Sequence, residues 1–598
     1  MKKITWMVVS FLMALSLVIA SCAPKEVEEK KAEEKATIVV KAEEKAVAEK
    51  VEKEKPGLLP PEVPKYGGIH TFVDLEPMGF DPAYIISVEC KHEMIGYDEL
   101  LGEDWTKGPA GTGEMEGPFL GLVSLLTGEI AESWELPDDN TIIYHIRKGI
   151  HFWDKPPANG RELNANDVVW NIQRQMTGPY MKMNVAPKDF PTSIKALDKW
   201  TVEIKVPSSQ GSTFMMISEQ VHYSAPEVVD KYGDLKDWRN VIGTGPWMLT
   251  DYVPATSMTF KKNPNYWKHD PLHPENQLPY MDGLKELFIL DASTRLAGFR
   301  TGKIDRLGGG LIPISLDDAE LLLRENPALK YKEFHTAGTC LWGRIDKPEL
   351  PFKDLRVRKA LNMAINRQEI VDKYYKGKAD LFSVPYANDV GHRAMFTPLE
   401  QMPASVQEVF SYNPEKAKQL LKEAGYPNGF KTQILCSADE ADFLSMIREY
   451  FLAIGVDMTL SVTELGARRS MARARTYPEM NYGGVVENAF PFKMHMVRSE
   501  SFDCFSYWEH PYTRALYEEA MKYVGKDDAA LCKLLKERYA PFVLENCIGV
   551  WLPGPYTYTL WWPWLQNFWG AVTLGYDNQQ GYTHYAWMDT ALKKSMGY

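Results

Sequence analysis

One charge-free stretch opens the chain, and no second long apolar run follows it. Ile4 to Ala20 carries no charged residue, follows Lys2 and Lys3, and ends in small residues. The stretch is slightly short for a membrane span. Its basic flank and small-residue end have the layout of a secretory signal, with an uncleaved anchor as the alternative. The rest of the chain is therefore expected to fold outside the cytoplasm without a further membrane segment. At 598 residues, 45% hydrophobic and 25% charged, it has an ordinary globular balance, which excludes collagenous, wholly disordered and multi-span classes. That length calls for two or three domains or subdomains. A net charge of −12 makes nucleic acid a poor partner, because phosphate binding needs a basic footprint.

The segment Ile19-Ala20-Ser21-Cys22 resembles a lipobox, which implies that Cys22 is lipidated as the first residue of the mature protein. Dual acylation would hold a soluble body at a membrane surface. Residues 25–55 then alternate Lys and Glu with Ala and Val and contain no aromatic residue. Such a tract cannot bury a core and reads as a solvated tether, closed by Pro56, Pro60, Pro61 and Pro64. Six cysteines remain: Cys90, Cys340, Cys436, Cys504, Cys532 and Cys547. No CxxC pair occurs among them, so zinc and thioredoxin-like sites are not expected. Disulfides and buried free thiols both stay open.

Strand and helix patterns are interspersed from Tyr66 onward. Trp200 to Val206 alternates strictly, with Val202, Ile204 and Val206 on one face. Thr141 to Arg147 reads as a strand entered from the turn Pro137-Asp138-Asp139-Asn140. Asn413 with Pro414 opens a helix striped by Ala417, Leu420, Leu421 and Ala424 and stopped by Gly425. Asp354 caps a second helix with Val357, Leu361 and Ile365 inward. Asn366 and Glu369 form a capping box for a third, ended by Gly377, and Asn164 opens a fourth before Val168, Val169 and Ile172. The class is α/β or mixed α+β. Gly243 and Gly245 suggest a tight turn with unusual dihedrals, and Asn263-Pro264-Asn265 is turn chemistry. Arg356, Arg358 and Lys359 are expected to be surface or salt-bridge residues.

Several of these segments, in this order, resemble the extracytoplasmic solute-binding proteins of ABC transporters, family 5, the dipeptide, oligopeptide and nickel binders. The segments are Tyr66-Gly67-Gly68 with Gly79-Phe80-Asp81-Pro82; Ile130 to Glu135 through Ile146 to Trp153 and Leu163 to Val169; Gly243 to Trp247; Lys262 to Trp267; Phe352 to Leu361; and Tyr412 to Pro427. The resemblance implies an α/β, two-lobed periplasmic-binding-protein fold of type II, with an enlarged first lobe and mixed sheets flanked by helices. It implies a lipoprotein signal over 1–22, a tether over 23–65, lobe one over 66–335 plus 550–598, and lobe two over 336–549. The chain would cross between lobes near His335–Gly338 and Ile548–Leu552. It would act as a monomer, deliver its solute to ABC permease subunits, and hold to the membrane through Cys22.

In peptide-binding members of that family an acidic residue of lobe two pairs with the ligand's α-ammonium. The matching stretch Gly483 to Pro491 puts Glu487 in that position. Gly483 and Gly484 stand where peptide binders often place a Trp, and an upstream aromatic is replaced by Leu465. Trp342 and Tyr482 are the candidate replacements. A peptide or other amine-bearing solute is the expected ligand. An oligosaccharide, a metal chelate or a signalling role is the alternative. His495 between Met494 and Met496, and His92 near Met94, would not converge on a metal if extended, so neither metal nor cofactor is expected. No GxSxG, HExxH, Walker loop or GxGxxG occurs, so the chain is not expected to be an enzyme. The tract from Trp551 to Trp569 carries five Trp but is broken by Pro553, Pro555 and Pro563, so it should pack on lobe one rather than lie in a membrane.

Two changes at the N-terminus test the anchoring expectations. Cys22→Ala should release the mature protein into a soluble fraction or stall its processing, as followed by membrane fractionation; unchanged membrane association would refute lipidation. Deleting residues 25–55 should leave the melting temperature unchanged, since no core residue lies there.

Overall fold

The computed structural model describes residues 63–84, 95–115, 122–184, 190–207, 210–309, 312–484, 494, 497–498, 504–574, 578–579 and 581–598. Two units are distinguished, Met1–Val63 and Pro64–Tyr598. The first lies almost wholly outside the described residues, as do the signal, Cys22 and most of the tether.

The second unit is built on three principal sheets. An eight-stranded mixed sheet has Ile69–Val73 near its centre, parallel to Gly283–Leu287 on one side and to Arg306–Gly308 on the other. Gly554–Trp561 pairs antiparallel with Arg306–Gly308 and with Lys330–His335, so the C-terminal part of the chain completes a sheet begun at its start. A four-stranded antiparallel sheet contains Ala131–Asp138, Thr141–Ile146, Thr201–Lys205 and Ser193–Asp198. Its alternation is as expected: Val202 and Ile204 are fully buried, as are Ile142 and Tyr144. The third sheet has five strands. Phe430–Cys436 runs parallel to Val456–Val462 and to Met480–Gly484, while Thr339–Gly343 runs antiparallel between Met480–Gly484 and Val550–Trp551.

Helices cover these sheets where capping residues open them. Asn164 caps Ala165–Met176 in a reciprocal box with Asp167. Asp354 caps Leu355–Met363, and Asn413 caps Pro414–Glu423 with Pro414 in its first turn. Gly425 follows at φ 96°, a left-handed conformation that glycine adopts at no steric cost. Asn366 accepts the Glu369 N–H at 3.1 Å, but the helix it opens changes to a π-turn over Ile370–Tyr374. The segments Leu355–Met363 and Pro414–Glu423 pack on each other, burying Val357, Leu361, Ala417 and Leu421.

Two expectations are corrected. Gly243 and Gly245 have no left-handed dihedral. They are glycine because the backbone of Gly96 presses on both: a Cβ at 243 would land on the Gly96 carbonyl oxygen, and one at 245 would sit 2.7 Å from its carbonyl carbon. Arg358 is not a surface residue and has no ion pair among the described residues. It is buried and donates to the backbone carbonyls of Phe352, Lys353 and Asn546. Arg356 remains exposed and paired to Asp354 at 2.6 Å. Val550 and Trp551 pair with Thr339–Gly343.

The other motifs are structural as read. Tyr266 and Trp267 both donate to buried Asp98, at 2.9 and 3.1 Å. Burial, and then Glu129 nearby, push that carboxyl up to about 6. Asp81 of the Gly79–Pro82 turn is buried and held by Arg174 at 2.5 Å. Trp562 and Trp564 are buried and stacked at 4.7 Å, donating to the Phe299 carbonyl and to Asp305. Of the five Trp in the Trp-rich tract, Trp551, Trp561, Trp562 and Trp564 are core, and Trp569 is exposed. No helix among the described residues is long and apolar enough to cross a membrane. The described cysteines Cys340, Cys436, Cys504, Cys532 and Cys547 are buried, and no disulfide joins any two of them.

The chain passes between the eight- and five-stranded sheets twice, over residues 336–338 and 552–553. The passages touch: the Leu552 N–H donates to the Thr339 carbonyl at 3.0 Å, and a Cβ on Gly338 would land on the Leu552 carbonyl oxygen. The strand Ala379–Asp380 braces them. It pairs with Gly554 and Pro555, and Asp380 meets His335 at 2.7 Å. Gly338→Ala should therefore destabilise the protein by about 1–3 kcal/mol, the range for an overpacked backbone contact, in a denaturant melt. An unchanged midpoint would mean the passages do not press together.

Candidate functional site

The five-stranded sheet has one distinctive edge. Its parallel strands end at Cys436, Val462 and Gly484, and Val550–Trp551 runs the same way. Thr339, the first residue of the antiparallel strand, pairs with Gly484, so both chain passages leave from this edge. In open α/β sheets the crevice beyond the carboxyl ends of the strands is where ligands bind, because loops can converge there and backbone N–H and C=O groups lack ladder partners.

Pairing decides which side chains share a face. Trp342 lies opposite Asn481, and Cys340 lies opposite both Gly483 and Trp551. Directly opposed residues point the same way, so Cys340, Trp342, Asn481, Gly483 and Trp551 occupy one face. Tyr482 lies opposite Leu341 and points to the other. The two aromatic candidates are thus near in the sheet but on opposite sides of it. On its side, Tyr482 is buried against Phe443 and donates to Thr339 Oγ1 at 3.1 Å; burial pushes its hydroxyl pKa up. Arg468 donates to the Tyr482 carbonyl and pairs with Glu440 at 3.2 Å, both largely buried. Burial, and then Glu440, raise the nearby Cys436 thiol.

On the Trp342 side, the indole is fully buried. It meets Trp551 edge-on at 5.8 Å and Phe505 at 6.2 Å, and Phe505 is itself only half-buried. The indole N–H groups of Trp342 and Trp551 and the side-chain oxygen of Asn481 have no hydrogen-bond partner among the described residues. Buried polar groups without partners are costly and uncommon in a core, and they fit a place where something else binds. Asn481 and Phe505 carry no charge and sit in no motif, so neither was identifiable before the strand register was known.

Glu487 lies outside the described residues, immediately after the strand Met480–Gly484. His92, Met94, His495 and Met496 also lie outside them, while Met494 is buried. Among the described residues no group of three or more His, Cys, Asp or Glu could hold a metal ion.

Comparison with known proteins gives this geometry a context. Residues 126–493 match the family described as bacterial extracellular solute-binding proteins, family 5 middle. Heme-binding protein A of Haemophilus influenzae is 27% identical over 385 residues, covering 60% of this chain and 61% of that protein. Di/tripeptide-binding protein 1 of Pseudomonas aeruginosa is 26% identical over 394 residues, covering 60% and 68%. The chain thus spans about three-fifths to two-thirds of these relatives' lengths. Among solved structures, the ABC transporter-associated periplasmic binding protein DppA of Helicobacter pylori, in complex with the peptide STSA, superposes with a TM-score of 0.67 at 21% identity, over 88% of this chain and 99% of that one. The oligopeptide-binding protein AppA of Bacillus subtilis, in complex with a nonapeptide, gives 0.63 at 19% identity, over 88% and 100%. The fold is the two-lobed, α/β periplasmic-binding-protein fold. Proteins of the matched family are extracytoplasmic receptors for transport and not enzymes. The match runs through most of the chain, across the first passage and up to the strand edge just described, and the chain belongs to the bacterial extracellular solute-binding proteins of family 5.

Proposed function

We propose that this protein captures a peptide or another amine-bearing solute between its two lobes and delivers it, unconsumed, to the permease of an ABC importer. Residues 66–335 with 550–598 form one lobe in this reading, and 336–549 form the other. Cys22 carries the lipid that anchors a monomeric body to the membrane, and residues 23–65 tether it. Support for the proposal comes from the match of residues 126–493 to the extracellular solute-binding proteins of family 5. In this reading Glu487, which lies in the matched region three residues beyond the strand Met480–Gly484 in sequence, pairs with the ligand's ammonium. A carboxylate in a cleft of low dielectric favours an ammonium and disfavours an anion. Relatives whose names specify di- and tripeptides and glutathione support the same class. In this reading Trp342 contributes from the sheet face described above, and Tyr482 lines the cleft from the opposite face. The heme-binding relative supports a second reading, a metal chelate, in which the Glu487 charge would matter less.

Calorimetry separates the two. A pool of di- to tetrapeptides, a set of oligosaccharides and heme are screened by thermal shift, since a bound ligand raises the melting temperature by mass action. The best binder is then titrated into wild type and Glu487→Gln. An amine-bearing peptide should lose on the order of 2–5 kcal/mol, roughly 30-fold to several-thousand-fold in affinity. Equal affinity of both proteins for such a peptide would remove Glu487 from the site.

A further inference from the structure

Every residue of the helix Gly211–Gln220 is buried, the polar ones included. A helix buried all round is covered on more than one side. The four-stranded sheet covers one side: Phe214 stacks on Tyr144 at 6.2 Å, and the Tyr144 and Ser218 hydroxyls bond each other at 2.8 Å. The helix Pro511–Tyr523 covers another. Gly211 shows how close that second contact is. Its φ is not left-handed, yet a Cβ there would sit 2.4 Å from the Met521 carbonyl oxygen and 3.0 Å from the Val524 side chain. The glycine is required by a part of the chain far away in sequence.

The turn that follows Pro511–Tyr523 extends the contact with polar groups. The Asp528 carboxylate accepts the successive backbone N–H groups of Val123 and Ser124, at 3.3 and 2.8 Å, and Lys526 meets Asp139 at 2.7 Å. Between them a Cβ on Gly525 would lie within 3.1 Å of Leu136 and Phe214. Asp528 is not needed to cap its own helix. Asp527 does that, accepting the Ala530 N–H at 2.9 Å.

In the lobe boundaries proposed above, residues 511–528 belong to one lobe, and residues 123–139 and 211–220 belong to the other. We infer that the turn 524–528 is a clasp, which seats on the Gly211 helix and on the Val123–Ser124 backbone when the lobes close and lifts off when they open. This rests on the two-lobed receptor reading. It adds that closure is held by contacts of the protein with itself as well as by the solute. Lifting the clasp exposes apolar surface of Phe214, Met521 and Val524 to water, which opposes opening. Water replaces the bonds that Asp528 and Lys526 lose, so the polar contacts weigh less than the apolar one. A weaker clasp lowers the closed fraction. Apparent affinity then falls by the same factor, mostly through faster release.

A carbodiimide couples an amine to a carboxylate that touches it, so it reads the clasp on the mature protein through a Lys526–Asp139 link, scored by tandem mass spectrometry. Wild type, Gly211→Ala and Asp528→Ala are compared alone and with the di- to tetrapeptide pool, and peptide release is timed after dilution. The link should form in wild type and rise in yield with bound peptide. Gly211→Ala puts a wedge against Met521, while Ala suits a helix better than Gly, so helix content by circular dichroism should not fall. Its link yield should drop and its release quicken about tenfold or more. Asp528→Ala keeps the Asp527 cap and should quicken release several-fold to about tenfold. Should Gly211→Ala lose helix content, Asp528→Ala decides alone. A link yield that bound peptide does not change, or wild-type release by the variants, would overturn the clasp and leave solute capture standing. Retention of no peptide by wild type would overturn the receptor reading. The solute-free proteins still decide the clasp in that case: lower link yields in the variants support it, and equal yields overturn it.

Discussion

The contact between the two chain passages is the constraint on which the rest of the structure depends. Residues 336–338 and 552–553 lie against each other with no side chain between them at Gly338, and the Thr339 carbonyl and Leu552 N–H bond across the gap. Each passage is a direct continuation of strands in both large sheets, Lys330–His335 into Thr339–Gly343 and Val550–Trp551 into Gly554–Trp561. A small change of backbone angle there would reorient one whole sheet against the other without breaking either ladder, which is how a hinge works. The brace at Ala379–Asp380 adds polar contacts on the same spot: Asp380 also accepts from the Tyr556 hydroxyl at 3.1 Å, and the Ser383 carbonyl accepts from the Gly338 N–H at 3.1 Å.

The same arrangement places the cleft. Both passages leave the five-stranded sheet from the edge where its parallel strands end, so the hinge and the strand end at Gly484 share one boundary. Relative motion of the sheets about the passages would open or close the space in front of that edge. The two sides of this sheet divide the work. The side of Tyr482 packs against the Phe443 helix and carries the Arg468–Glu440 pair. The side of Trp342 holds an aromatic wall of Trp551 and Phe505 with polar groups still to be satisfied.

Much of the fold was legible in the sequence because the signals are local. Asn164, Asp354 and Asn413 cap the helices they were expected to cap, since a short side-chain acceptor satisfies first-turn N–H groups wherever it occurs. The strand over Thr201–Lys205 follows from period-two alternation alone. What was not legible depends on contacts distant in sequence. Gly243 and Gly245 were read as turn glycines, but Gly96, more than a hundred residues earlier, is what excludes their side chains. Arg358 looked like a surface charge because its neighbours on the chain are charged; its partners are the carbonyls of Phe352, Lys353 and the distant Asn546. Trp342 and Tyr482 could be nominated for their rings, yet the sheet face of each depends on the register with a strand nearly 140 positions away. Asn481 had no signal at all until that register placed it beside Trp342.

Small-angle scattering of the mature protein, with and without a saturating peptide from the binding pool, tests the central claim most directly, because it reads the movement that the paired passages permit. Capture between two lobes predicts a smaller radius of gyration with peptide bound and the same mass as without it. A bound peptide, confirmed by calorimetry on the same sample, with an unchanged scattering profile would contradict capture by closure about the 336–338 and 552–553 passages.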